Sequence, residues 1–191
     1  MLSIRWRMEK AKQLSQEDWL GAARVVMSEQ GVEAVKVEVL SRHLKVSKGS
    51  FYWHFKNRDD LLGGLLELWA SSTDWLIAEA NKESSPADKL KLLFQLIAEL
   101  GISGESSIHV WAKQDVLVAE KLKEVERKRL AFLETLFKDA GFRKRQAKEN
   151  AELCYLAFLG YAFKAGQASV FDLGLNVLGN KLSELFIQKE S

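Results

Sequence analysis

Apolar residues recur at three- and four-residue spacing along nearly the whole chain, and no segment alternates with the two-residue period of a strand. Over residues 16–30 the side chains Trp19, Leu20, Ala23, Val26 and Met27 fall on one stripe. Ser15 stands before that stripe as a cap, Asp18 follows three residues on, and Gly31 closes it. A short helix is predicted over 37–44, with Val37, Leu40 and Leu44 on one face. The turn "KVS" then offers Ser47 as N-cap of another over 48–55. Asn57 caps a long helix whose first turn holds Asp59 and Asp60, acids that suit the positive end of a helix dipole. It fades at "NKESSPAD", where the single proline, Pro86, breaks the pattern. Five more helices are predicted over 87–100, 106–118, 120–139, 146–166 and 172–189, with Gly101, Gly104, Gly141 and Gly174 near their ends.

The expected fold class is therefore all-α. Three short helices make a small N-terminal unit containing a helix-turn-helix, and the longer ones need a bundle to bury their faces. The expected division is 1–58 for an N-terminal arm plus the helix-turn-helix unit, and 59–191 for a helical domain. The helix beginning near Arg58 bridges the two. Before Met8, "MLSIRWR" is read either as a basic arm or as an extension upstream of the working start.

Composition narrows the function classes. The 191 residues are 47% hydrophobic and 28% charged, ordinary for a globular protein, and no apolar run approaches the roughly 20 residues needed to span a bilayer. The N-terminus lacks the continuous apolar region of a signal peptide, so a cytoplasmic location and no membrane partner are expected. Cys154 is alone, which excludes an internal disulfide and a thiolate zinc site; it is read as a small buried apolar residue. The three histidines, His43, His54 and His109, are far apart, and there is no phosphate-binding glycine loop or paired catalytic acids. No enzyme, metal or cofactor is expected. The net charge of +2 is uninformative, but residues 36–58 hold six bases, Lys36, Arg42, Lys45, Lys48, Lys56 and Arg58, against one acid, Glu38.

The run "VSKGSFYWHFKNRDDLL" concentrates that charge beside aromatic rings. At about 100° per residue, Phe51 and Phe55 share one side of the short helix, and Gly49, Ser50 and Trp53 face away. Lys48, Tyr52 and His54 lie on the flanks. One reading makes the whole cluster core packing, since aromatic residues more often pack than bind. The other notes that so short a helix cannot bury every face, which leaves small residues and one ring to enter a major groove while the flanks and Lys56 meet phosphates. His43, on the preceding helix without a second ligand at metal spacing, is read as packed or solvated.

This run resembles the hallmark of TetR-family transcriptional regulators, in which a short recognition helix carries Tyr, any residue, His and an aromatic, followed by Lys and an acidic helix start. "GVEAVKVEVLSRHL" is similar to the family's junction between first and second helices, and "HVWAKQD", "VERKRLAFLETLFKDAGF" and "YLAFLGYAF" resemble the C-terminal domain of one branch. The resemblance implies a double-stranded DNA partner, with Tyr52, His54, Lys48 and Arg58 on phosphates and Ser50 and Trp53 facing the groove. Three positions depart from the family pattern: Val37 replaces a Thr that often caps the second helix, Lys45 takes a turn position usually given to Gly, and Arg58 stands where Lys is commoner.

The segment 147–165 is apolar on more than one side, with Ala151, Cys154, Phe158 and Ala165 on one line and Leu153, Leu156, Leu159, Gly160 and Phe163 on others. The final helix places Leu175, Leu178, Leu182 and Leu185 at three-and-four spacing. A homodimer is expected through Cys154, Phe158, Leu178, Leu182 and Leu185, reading a palindromic operator with two heads. Trp69, Phe94, His109, Trp111 and Phe158, with Trp75, are candidates to line an apolar cavity for a hydrophobic small-molecule effector. The resulting expectation is a repressor released by such an effector. The alternative is a protein of the same fold whose bundle binds a protein partner or no ligand.

Overall fold

A computed structural model describes residues 14–101, 104–164 and 174–187. The arm 1–13, Ala165 and the ends of the expected 146–166 and 172–189 helices lie outside the described residues. Within them the chain is helical, in the order α1 (Gln16–Gln30), a one-turn 3-10 helix (Val32–Ala34), α2 (Val37–Leu44), α3 (Lys48–Phe51), α4 (Arg58–Ala80), α5 (Pro86–Leu100), α6 (Glu105–Trp111), α7 (Val116–Asp139), α8 (Lys144–Lys164) and α9 (Leu175–Phe186).

Side-chain capping sets several of these boundaries. Asp18 N–H donates to Ser15 Oγ over 3.2 Å while Ser15 N–H donates to Asp18 Oδ2 over 2.7 Å, the reciprocal box that starts α1. Asn57 and Asp60 start α4 with the same economy: Asp60 N–H donates to Asn57 Oδ1 and Lys56 N–H to Asp60 Oδ2. The expected helix over 106–118 is shorter, because Asp115 Oδ1 accepts from Leu117 and Val118 N–H and opens α7 at Val116.

Two departures from family pattern resolve locally. Lys45 adopts the left-handed conformation (φ 58°, ψ 41°), which costs a residue with a Cβ roughly 1–2 kcal/mol. Val37 is the first residue of α2; the N-cap is Lys36, which makes no side-chain cap bond.

Two cores organise the packing. The first joins Trp19, Val26 and Met27 of α1, Leu40 of α2, Phe51 and Phe55, and Leu61, Leu62, Leu65 and Leu66 of α4. It continues into Ile108 and Trp111 of α6 and Val118 and Leu122 of α7, so packing does not stop at residue 58. The second joins Leu90 and Phe94 of α5, Leu133, Leu136 and Phe137 of α7, Ala151, Cys154 and Phe158 of α8, and Leu175 and Leu182 of α9. α9 seats closely on α5: a Cβ added at Gly179 would collide with Phe94. The one-turn 3-10 helix is tied down by Arg58, whose Nε donates to Val35 O over 2.6 Å and whose Nη2 donates to Val32 O over 2.8 Å.

Candidate nucleic-acid interface and bundle cavity

The second helix of the pair is briefer than its spacing predicts. α3 ends at Phe51, and the chain tightens through a turn in which His54 and Phe55 N–H both donate to Phe51 O. Ser47 occupies the N-cap position without a side-chain cap bond. The division of faces nevertheless matches the helical reading. Phe51 is fully buried, packs edge-on to Trp19 at 5.3 Å and stacks on Phe55 at 5.5 Å between centroids. Tyr52 and Trp53 stand outside, 62% and 87% exposed. Burying an indole typically contributes several kcal/mol, so a tryptophan left this open in a chain with ample core contributes almost nothing to the fold.

Around these rings Lys48, Gly49 and Lys56 are exposed, and Ser50 and His54 are half-buried. Lys48 Nζ meets Glu38 Oε1 at 2.6 Å, and that ammonium holds the Glu38 carboxyl below its ordinary range. Both groups are open to solvent, so the pair is easily exchanged for another anion. Arg58 is a correction: its guanidinium faces the Val32 and Val35 carbonyls and is not free on the surface beside α3. His43 is exposed.

In the bundle, α1, α4, α5, α6, α7 and α8 surround a cavity of about 250 Å³. Trp69, Phe94 and Phe158 line it, together with Leu93, Ile97 and Phe132. Three expectations fail. Trp111 belongs to the first core, because α6 turns that face toward α4 and α7. His109 sits behind the lining, its Nε2 3.6 Å from Glu105 Oε1 and its ring edge-on to Phe163. Trp75 is on the solvent side of α4.

Sequence reasoning missed the cavity's polar floor. Glu105 is buried and accepts hydrogen bonds from Trp69 Nε1 (2.8 Å), Arg129 Nη1 (2.5 Å) and Arg129 Nη2 (3.3 Å). Arg129 Nε donates to Thr73 Oγ1, and the guanidinium lies over the Trp69 ring at 5.2 Å and the Phe158 ring at 5.6 Å. Burial alone would raise the Glu105 pKa, but His109, the Arg129 guanidinium and the Trp69 N–H outweigh it and hold the carboxyl at about 2. Tyr155, also on the lining, is pushed upward by burial. Cys154 is raised to about 12 by burial, an unreactive thiol as expected.

The expected dimer residues divide. Cys154, Phe158 and Leu182 are buried in the chain's own core and Leu178 is half-buried against it, which leaves only Leu185 exposed. The apolar side chains facing out of α8 and α9 are Leu153, Leu156 and Phe163, with Val177 and Leu185.

Residues 20–65, which hold α2, α3 and both caps around them, match the family model described as bacterial regulatory proteins, tetR family. Over that segment the chain is similar to the TetR family. It is 32% identical over 91 residues to the HTH-type transcriptional regulator AcrR of Shigella flexneri, covering 46% of this chain and 42% of that protein. It is 42% identical over 43 residues to the transposon Tn10 TetC protein of Escherichia coli, 22% of each. The chain thus spans less than half the length of the curated relatives it matches. Likeness of fold extends further than those alignments: a transcriptional regulator from Rhodococcus sp. Rha1 superposes with a TM-score of 0.72 at 19% identity, covering 92% of this chain and 97% of the other.

Proposed function

We propose that this protein is a DNA-binding transcriptional regulator of the TetR family, a homodimeric repressor that leaves a palindromic operator when a hydrophobic small molecule occupies its bundle. The observation that carries the reading is the face of α3 and its following turn. Two phenylalanines are spent on the core while Tyr52 and Trp53 stand in solvent among Lys48, His54 and Lys56. Gly49 and Ser50 permit close approach to base edges, Trp53 supplies an apolar ring for thymine methyls or the sugar wall, and Tyr52, His54 and the lysines donate to phosphates.

One such head makes few contacts, and pairing two of them on half-sites one helical turn apart multiplies them. The exposed apolar residues Leu153, Leu156 and Phe163 of α8, with Val177 and Leu185 of α9, support the dimer. The cavity, largely apolar with a small polar floor, supports the ligand. Ligand control requires that the effector bind the DNA-incompetent state better. A bundle that binds only a protein partner, or nothing, is the competing reading, and the cavity weighs against it.

Selection of bound fragments from the organism's own DNA, followed by gel shift, tests the proposal. A recovered palindrome, with affinity lost in the Tyr52→Ala, His54→Ala double variant, is expected. Unchanged affinity in that variant would remove the surface assignment.

A further inference from the structure

The charges lining the cavity do not balance. Among the described lining residues, Arg24, Glu105 and Arg129 are the charged ones, two cations against one anion. Glu105 is committed to Arg129, which grips it through both terminal nitrogens, and to the Trp69 N–H. The other polar groups of the inner wall are also engaged. Ser72 Oγ donates to Trp69 O, and Thr73 Oγ1 accepts from Arg129. Arg24 differs from all of these: it is exposed and has no carboxylate partner among the described residues.

Arg24 belongs to the polar end of the cavity. Its Cγ lies 3.9 Å from where a Cβ would stand on Gly104, the residue preceding Glu105, and Met27 Cε lies 3.2 Å from the same point. Gly104 has φ +99°, so the chain turns there without a side chain and lets Met27 and the Arg24 stem of α1 pack closely against the start of α6. The lining side chains from α5 and from the turn of α7 after Arg129 are apolar, among them Leu93, Phe94, Ile97, Phe132 and Leu133.

The same geometry disfavours a cationic ligand. An ammonium entering an aromatic cavity gains from ring faces and from a free carboxylate. Here the Arg129 guanidinium already covers the Trp69 and Phe158 faces and already neutralises Glu105. A second cation would meet like charge on a desolvated floor.

We infer that the ligand of this cavity is an amphipathic anion, an apolar body carrying one carboxylate, with the body against α5 and α7 and the carboxylate at the Arg24 end. This inference rests on the reading of the cavity as a ligand site. Because Arg24 is on α1, the ligand's charge acts on the DNA-binding unit itself, while its apolar body is held by the bundle.

The test is calorimetric titration of the full chain, below micelle-forming concentrations, with three probes of one chain length: dodecanoate, dodecanol and dodecyltrimethylammonium. Dodecanoate is expected to bind about tenfold or more tightly than the ammonium. Arg24→Ala should weaken dodecanoate about five- to tenfold, the scale of a partly exposed charge-assisted contact, leave dodecanol unchanged, and be largely rescued by Arg24→Lys. Raised salt should weaken dodecanoate and spare dodecanol. Ammonium binding as tight as dodecanoate, or an Arg24→Ala variant of unchanged dodecanoate affinity, would overturn the inference and leave the cavity reading standing. If none of the three binds, both fall.

Discussion

The N-terminal helical unit and the bundle use their aromatic and charged residues in opposite ways. At the α3 turn, rings and bases sit in water, where they contribute little to the fold; in the bundle, Trp69, Phe158, Glu105 and Arg129 are closed upon one another, and each holds the next in place. The difference teaches what to look for in each. An exposed face can be changed without touching stability, so its cost must appear in binding. A buried ion pair removed on one side leaves an uncompensated charge, so its cost appears in the fold first.

The largest expected effect is on that floor. Glu105→Ala leaves the Arg129 guanidinium buried without its carboxylate and should destabilise the protein by about 3 kcal/mol, read as a fall in urea midpoint. Acid should find the same group. Glu105 is held at about 2 against an ordinary 4.5, so the pair's contribution is complete above about pH 4.5 and is lost as pH falls toward 2. Urea midpoints between pH 7 and pH 3 should therefore drop more in the wild type than in Glu105→Gln. An equal drop would mean the pair contributes nothing specific.

Arg58 tests the comparison from the other side, because it lies in the basic run but is used like a bundle residue. Arg58→Ala removes the side-chain donor to the Val35 carbonyl and leaves the Val32 carbonyl with the Val35 N–H alone, and should cost about 1–2 kcal/mol in chemical denaturation. A variant that weakens DNA binding while leaving stability untouched would return Arg58 to the surface clamps. The smallest effect belongs to the turn of the helix pair. Lys45→Gly relieves a left-handed residue and should raise stability by about 0.5–1 kcal/mol, provided Lys45 holds no other contact.

The same contrast explains how much was legible beforehand. The α3 surface is local: its faces follow from residues a few positions apart, so the burial of Phe51 and Phe55 and the exposure of Trp53 could be read from spacing. What spacing did not show was the early end of α3 or the inward use of Arg58, because both depend on carbonyls presented by the fold. The cavity draws on six helices. Trp69, Phe94 and Phe158 were found because large apolar residues at core spacing must face inward. Trp111 was misplaced because spacing says that a ring is buried, not in which of two cores.

Glu105 and Arg129 were missed for a physical reason. An acid in the first turn of a helix is favourable wherever it points, and an arginine within "VERKRL" looks like one more solvated base. The neighbours of Glu105 in sequence, Gly104, Ser106 and Ser107, are small and polar, so no local signal marked that carboxylate as buried.

On the proposed reading, the exposed side of the α3 turn holds DNA and the bundle does not. That reading is tested most directly by the affinity of a selected genomic duplex for wild type and for the Tyr52→Ala, His54→Ala double variant, with thermal midpoints measured alongside. The expected result is a complex at least tenfold weaker, on the order of 1.4 kcal/mol or more, from a protein that melts within a degree or two of the wild type. Equal affinity in a folded variant would contradict it.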